Sequence, residues 1–84
     1  MPERGQALSE RMVGRLIAYR RHLRGCLAQD VDRVFSHDLA RLEDVTPAQV
    51  RRDLMTIGYT GSPAKGYDAA GLVEHITALL DTGS

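Results

Sequence analysis

The sequence predicts a mostly α domain with a small β-hairpin, arranged as a winged helix-turn-helix. Three observations predict it. Apolar residues recur at helical spacing in several separate segments. Two of those segments are short and joined by a tight connection, "EDV" at 43–45. The second is followed by "YTGSPAKGY" (59–67), whose glycines and proline between two tyrosines read as a hairpin. Two short helices and then a hairpin make the winged arrangement.

Each element has a local cause. Ser9 can cap a first helix whose apolar stripe is Met12, Leu16, Leu23 and Leu27, with Val13, Ile17 and Tyr19 beside it. Arg11, Arg15, Arg21 and Arg24 fall away from that stripe, and the helix is expected to end near Ala28. "VDRVF" (31–35) is short and β-branched, so it reads as one brief strand. Ser36 is the expected cap of a short helix with Leu39 and Leu42 facing inward, and Asp44 suits the bend because it tolerates left-handed backbone.

The next helix, 46–57, has the best-specified start. Thr46 is the N-cap, Pro47 takes the first helical position, where a missing N–H costs nothing, and Gln49 completes a capping box. Val50, Leu54 and Ile57 share one face, and Gly58 closes the helix. Ala48, Arg52 and Met55 then lie opposite the core, with Gln49, Arg51 and Thr56 on the flanks. Asp68 is the cap of a last helix with Leu72, Ile76, Leu79 and Leu80 as its stripe.

Composition sets the bounds. Eighty-four residues leave room for one core, and 43% apolar with 26% charged residues is an ordinary globular balance. The expected organisation is one domain over 9–81 with flexible ends at 1–8 and 82–84. A single cysteine, Cys26, allows no intrachain disulfide and fits a reducing cytosol. No apolar run approaches membrane-spanning length, so a cytoplasmic protein without a membrane partner is expected. The net charge of zero hides an asymmetry: residues 1–24 carry +4 and residues 25–84 carry −4. Such a chain can still present one basic face.

These features point to duplex DNA. A major groove admits one α-helix, and its readers must face away from the core near the N-terminal half. Ala48, Gln49, Arg51 and Arg52 meet that requirement, and Thr46 and Met55 are expected to join them at the DNA. Arginine offers a fork to guanine or a charge to phosphate, glutamine pairs with adenine, and Ala or Met meets a thymine methyl. The alternative for the same residues is a wet arginine face on an ordinary amphipathic helix. Lys65 and the wing's backbone N–H groups suit phosphate or the minor groove, or the hairpin simply covers the strand. Arg15 and Tyr19, with Arg20 and Arg21, either anchor flanking phosphates or are plain solvation.

Other chemistries fare worse. His22 and Cys26 are four apart, yet a zinc site needs three or four ligands and no CxxC or HExxH pattern exists. Cys26 reads as a core cysteine or, beside Arg24, as an oxidisable thiol. Gly58, Gly61 and Gly66 fit neither GxGxxG nor GxxxxGK[ST], so no nucleotide cradle and no enzyme are expected.

"RLIAYRRHL" (15–23), "FSHDLARL" (35–42), "VTPAQVRRDL" (45–54) and "GYTGSPAKGYD" (58–68) resemble, in order and spacing, the N-terminal domain of the Rex family of redox-sensing transcriptional repressors. The resemblance implies a winged helix bound to inverted-repeat operators at the bacterial nucleoid. It places Arg51 and Arg52 at the family's recognition-helix basics, and Arg15 and Tyr19 at its first-helix pair. The family's NADH/NAD site and dimer contact lie in a second, Rossmann-type domain absent from these 84 residues, so no cofactor is expected here. Ser62-Pro63 replaces a basic wing tip, and Glu43-Asp44 stands where an apolar residue and Gly are usual. A homodimer or partner protein would supply the two-fold. A winged-helix protein-interaction adapter is the rival reading, favoured by zero net charge and the neutral wing tip.

Overall fold

The computed structural model describes residues 9–62 and 64–82. The expected flexible end at 1–8, residues 83–84 and Pro63, expected at the wing tip, lie outside the described residues. The element order is α1 (Glu10–Ala28), β1 (Arg33–Val34), α2 (Ser36–Glu43), α3 (Pro47–Thr56), β2 (Tyr67–Asp68) and α4 (Ala69–Thr82). It is the winged helix-turn-helix that the sequence predicts.

Helix starts follow the capping rules. The Ser9 hydroxyl accepts from the Met12 N–H at 3.1 Å, and Asp68 Oδ2 accepts from the Gly71 N–H at 3.0 Å. At α2 the cap differs by one residue from the expectation. Phe35 is the N-cap and Ser36 the first helical residue; Asp38 Oδ2 reaches back to accept from the Phe35 N–H at 3.0 Å.

Helix ends share one device, a left-handed residue that turns the chain back on the last carbonyls. Asp30 (φ 64°), Asp44 (φ 55°) and Gly58 (φ 84°) serve α1, α2 and α3. Behind each, an amide closes on a carbonyl five residues earlier: Val31 to Cys26, Val45 to Ala40 and Tyr59 to Leu54, at 2.9, 3.1 and 2.9 Å.

That device shortens the expected strand. The Val31 N–H is engaged in ending α1, and the Asp32 carbonyl accepts from the Ala69 N–H at 2.9 Å. Only residues 33 and 34 of the 31–35 stretch pair, antiparallel to β2, with Arg33 opposite Asp68 and Val34 opposite Tyr67. The wing closes on itself through Ser62 and Gly66, whose backbones exchange hydrogen bonds of 3.2 and 2.6 Å. Gly66 is required there. Its φ is 72°, and a Cβ would sit 2.7 Å from the Val34 carbonyl oxygen.

The core gathers side chains from all four described helices, with α1 packed on α4 and α2, and α2 packed on α3. Leu16, Tyr19 and Leu23 of α1 meet Leu39, Val50, Leu54, Leu72 and Ile76, all fully buried. Leu42, an expected inward residue, is 48% exposed, because α2 ends one residue later and turns away at Asp44.

Candidate nucleic-acid interface

α3 presents two faces of opposite character. Val50, Leu54 and Ile57 are buried, and Ala48, Arg51, Arg52 and Met55 are exposed, Met55 at 65%. Thr46 is exposed and fixes the start of the helix, its hydroxyl accepting from the Gln49 N–H at 3.0 Å. The Gln49 side chain does not complete the capping box by turning back to Thr46. It runs forward along the helix instead, Nε2 donating to Asp53 Oδ1 at 2.8 Å.

Asp53 is the residue that sequence reasoning missed. It is buried at 2% exposure on the edge of α3's apolar face. Arg15 grips it with a fork, Nε to Oδ2 at 2.7 Å and Nη2 to Oδ1 at 2.9 Å, and the Tyr19 hydroxyl donates to Oδ2 at 2.8 Å. Burial alone would raise the Asp53 carboxyl, but the hydrogen bonds from Arg15, Tyr19 and Gln49 outweigh it and hold it below the usual carboxylate range. The hydrogen bond to Asp53 raises Arg15, and burial followed by that same carboxylate pushes the Tyr19 phenol up. An acidic residue on an apolar arc signals a buried cationic partner, and the Arg15/Tyr19 pair at i, i+4 was the available clue.

Arg15 and Tyr19, the pair expected at flanking phosphates, both donate to Asp53 inside the domain. Tyr19 is fully buried, and the guanidinium fork of Arg15 faces Asp53. Both tie α1 to α3.

Arg51 and Arg52 are placed differently. Among the described residues neither forms an ion pair; Arg51 Nη1 only donates to the Ser36 hydroxyl at 3.3 Å. Arg51 leans over a groove of about 460 Å³ between the start of α2 and the wing, lined by Phe35, Ser36, His37, Gly61, Ser62, Gly66 and Tyr67. The groove runs from α3 to the wing. Lys65 is exposed in the wing turn, where the Ser62 hydroxyl accepts from the N–H groups of Ala64 and Lys65 at 3.2 and 3.3 Å.

His22 and Cys26 meet at 3.6 Å on α1, and among the described residues no group of three side chains suited to a metal gathers. Cys26 is half-buried rather than a full core residue. Of the described helices, none is long and apolar enough to cross a membrane.

With α3, the wing and the two exposed arginines in place, comparison with known proteins gives the family. The family model "Putative DNA-binding protein N-terminus" matches residues 7–54. The redox-sensing transcriptional repressor Rex of Rhodopirellula baltica is 44% identical over 81 residues, 96% of this chain and 34% of that protein. The chain belongs to the Rex N-terminal DNA-binding family. Rex of Brevibacillus brevis is 39% identical over 75 residues, covering 89% of this chain and 36% of the relative. Among solved structures, the repressor RSP in complex with β-NAD+ and operator DNA superposes with a TM-score of 0.77 at 34% identity, covering 88% of this chain and 34% of that one. RSP described as a Rex-family repressor gives 0.76 at 32% identity, covering 89% and 34%. The chain thus spans about a third of the length of these Rex proteins. Of the loop glycines, Gly58 ends α3, and Gly61 and Gly66 shape the wing.

Proposed function

We propose that this chain is the operator-reading part of a Rex-like transcriptional repressor. Residues 9–81 act as its DNA-binding domain, with α3 in the major groove and residues 58–67 on the flanking backbone or minor groove. The observation that carries the reading is the pair Arg51 and Arg52, exposed and without an ion pair among the described residues on the helix that precedes the wing. Arg52, Ala48, Gln49 and Met55 face base edges, Arg51 and Thr46 meet the backbone at the mouth of the groove, and Lys65 adds a wing charge. One copy offers few phosphate contacts, so useful specificity comes from two copies on an inverted repeat, paired directly or through a partner protein. The reading implies a non-enzymatic, cytoplasmic protein at the nucleoid, with no cofactor of its own.

A second groove favours the rival adapter reading. It measures about 520 Å³, lies between α1 and the end of α2, and is lined in part by Ala18, Arg21, Val31 and Leu42. Val31 and Leu42 there are 42% and 48% exposed. Selection of bound duplexes from a random pool, followed by titration of the winner against salt, separates the two. A palindromic winner whose affinity falls with salt supports the repressor, and no duplex retained at low salt supports the adapter.

A further inference from the structure

The hydrogen bonds of Asp53 join two helices, and their donors differ in kind. Arg15 on α1 spans both carboxylate oxygens and the Tyr19 hydroxyl adds to Oδ2, while Gln49, one turn earlier on α3, donates to Oδ1. An ionised carboxylate offers only acceptor oxygens, so a neighbouring amide meets it through nitrogen alone. The other end of that amide, Gln49 Oε1, has no hydrogen-bond partner among the described residues. Gln49 is half-exposed in the first turn of α3, between exposed Ala48 and Arg52. That is the part of a reading helix that meets base edges.

We infer that Asp53 is a positioning residue for base recognition: by holding the amide nitrogen of Gln49 it fixes that side chain as an acceptor for the exocyclic amino group of a base, adenine N6 or cytosine N4. The inference rests on α3 being the DNA-reading helix. A free glutamine amide rotates to suit either a donor or an acceptor edge. An amide fixed with oxygen outward welcomes an amino group and repels the guanine O6 and thymine O4 oxygens. Specificity at one operator position is thereby set by a side chain that never touches the DNA.

Three variants test it, each put through selection from a random pool of duplexes and a thermal melt. D53N gives Gln49 a neighbour that both donates and accepts, so the amide is free to turn. Q49M removes the amide and leaves Arg15, Tyr19 and Asp53 paired. Y19F weakens the same buried network and leaves the Gln49 contact. The wild type is expected to select an amino-bearing base at one position. That preference falls roughly three- to tenfold in both D53N and Q49M, the scale of one hydrogen bond. In Y19F the melting temperature falls and the preference stays.

A wild-type motif that Q49M reproduces unchanged overturns the inference. So does a preference that relaxes as much in Y19F as in D53N, which would be the mark of a merely structural network. Should D53N fail to fold, Q49M and Y19F decide by the same criteria. A wild type that selects no duplex overturns the DNA reading itself and the inference with it, whereas a wild-type motif indifferent to Q49M overturns the inference alone.

Discussion

Arg15 and Asp53 are 38 residues apart and meet in a fork, with Nε–Oδ2 at 2.7 Å and Nη2–Oδ1 at 2.9 Å. The aspartate is at 2% exposure and the arginine side chain at 21%, so this is a partly buried pair rather than a surface one. Removing one member leaves the other's charge or dipoles uncompensated in a poor solvent. D53A is expected to cost about 3–5 kcal/mol, a large share of the stability of so small a domain. R15K keeps the charge but loses the fork and should cost less, because a lysine cannot make two parallel bonds. Urea unfolding of both variants checks the order. Equal stability of D53A and wild type would remove the pair from the fold's framework.

The same carboxylate sets the acid limit. Its folded pKa is lowered below the unfolded value, so its stabilisation is complete above about pH 4 and is lost as pH falls from there through the lower folded value. Tyr19 acts oppositely: its folded pKa is raised by burial and by Asp53, so stability is complete below about pH 10 and declines above it. Burial raises Tyr59 and Tyr67 as well, and they add to the alkaline limb. Melting temperature against pH is expected to fall at both ends. Y19F should flatten the alkaline limb and D53N the acid one, and a D53N profile with the wild-type acid slope would refute the assignment.

Much of this was legible in the sequence because caps, turns and periodicity act locally. Thr46-Pro47, Asp44, Gly58 and Asp68 each do what their residue type dictates within three or four positions. The α3 stripe of Val50, Leu54 and Ile57 needed only the helical period. What was not legible is long-range. Nothing local says that the basic side chain of Arg15 turns inward, since that depends on Asp53 arriving from 38 residues away. The Gln49 side chain has two local options, a capping box and an i, i+4 bond to Asp53, and the carboxylate that Arg15 holds buried wins. The strand was overestimated because the amide of Val31 is needed to end α1.

The wing depends on Gly66. Its left-handed backbone and the 2.7 Å approach of the Val34 carbonyl to a would-be Cβ leave no room for a side chain. G66A should cost on the order of 1–3 kcal/mol in backbone strain, with the contact added. The loss is expected to be local. Hydrogen exchange should quicken at the Ser62 and Gly66 amides, which bond each other across the wing, while amides of α1 keep their protection. Uniform loss of protection through α1 would contradict a wing-confined effect.

Arg51 and Arg52 are neighbours in sequence but stand in different surroundings, so their replacement should have different signatures. Arg51 overhangs the groove beside Ser36 and the wing, where a phosphate would lie. Arg52 is exposed and without an ion pair among the described residues, on the face that also carries Ala48 and Met55. A phosphate contact strengthens all sequences alike and contributes to the salt slope; a base contact discriminates. R51A is therefore expected to weaken selected and scrambled duplexes by similar factors and to reduce the slope of log K against log salt by about one. R52A should lose roughly 1–3 kcal/mol on the selected duplex and little on the scrambled one. Both variants should melt like wild type, since neither side chain is buried. If R52A weakened both duplexes equally, the helix would face the groove with a different edge from the one these exposures imply.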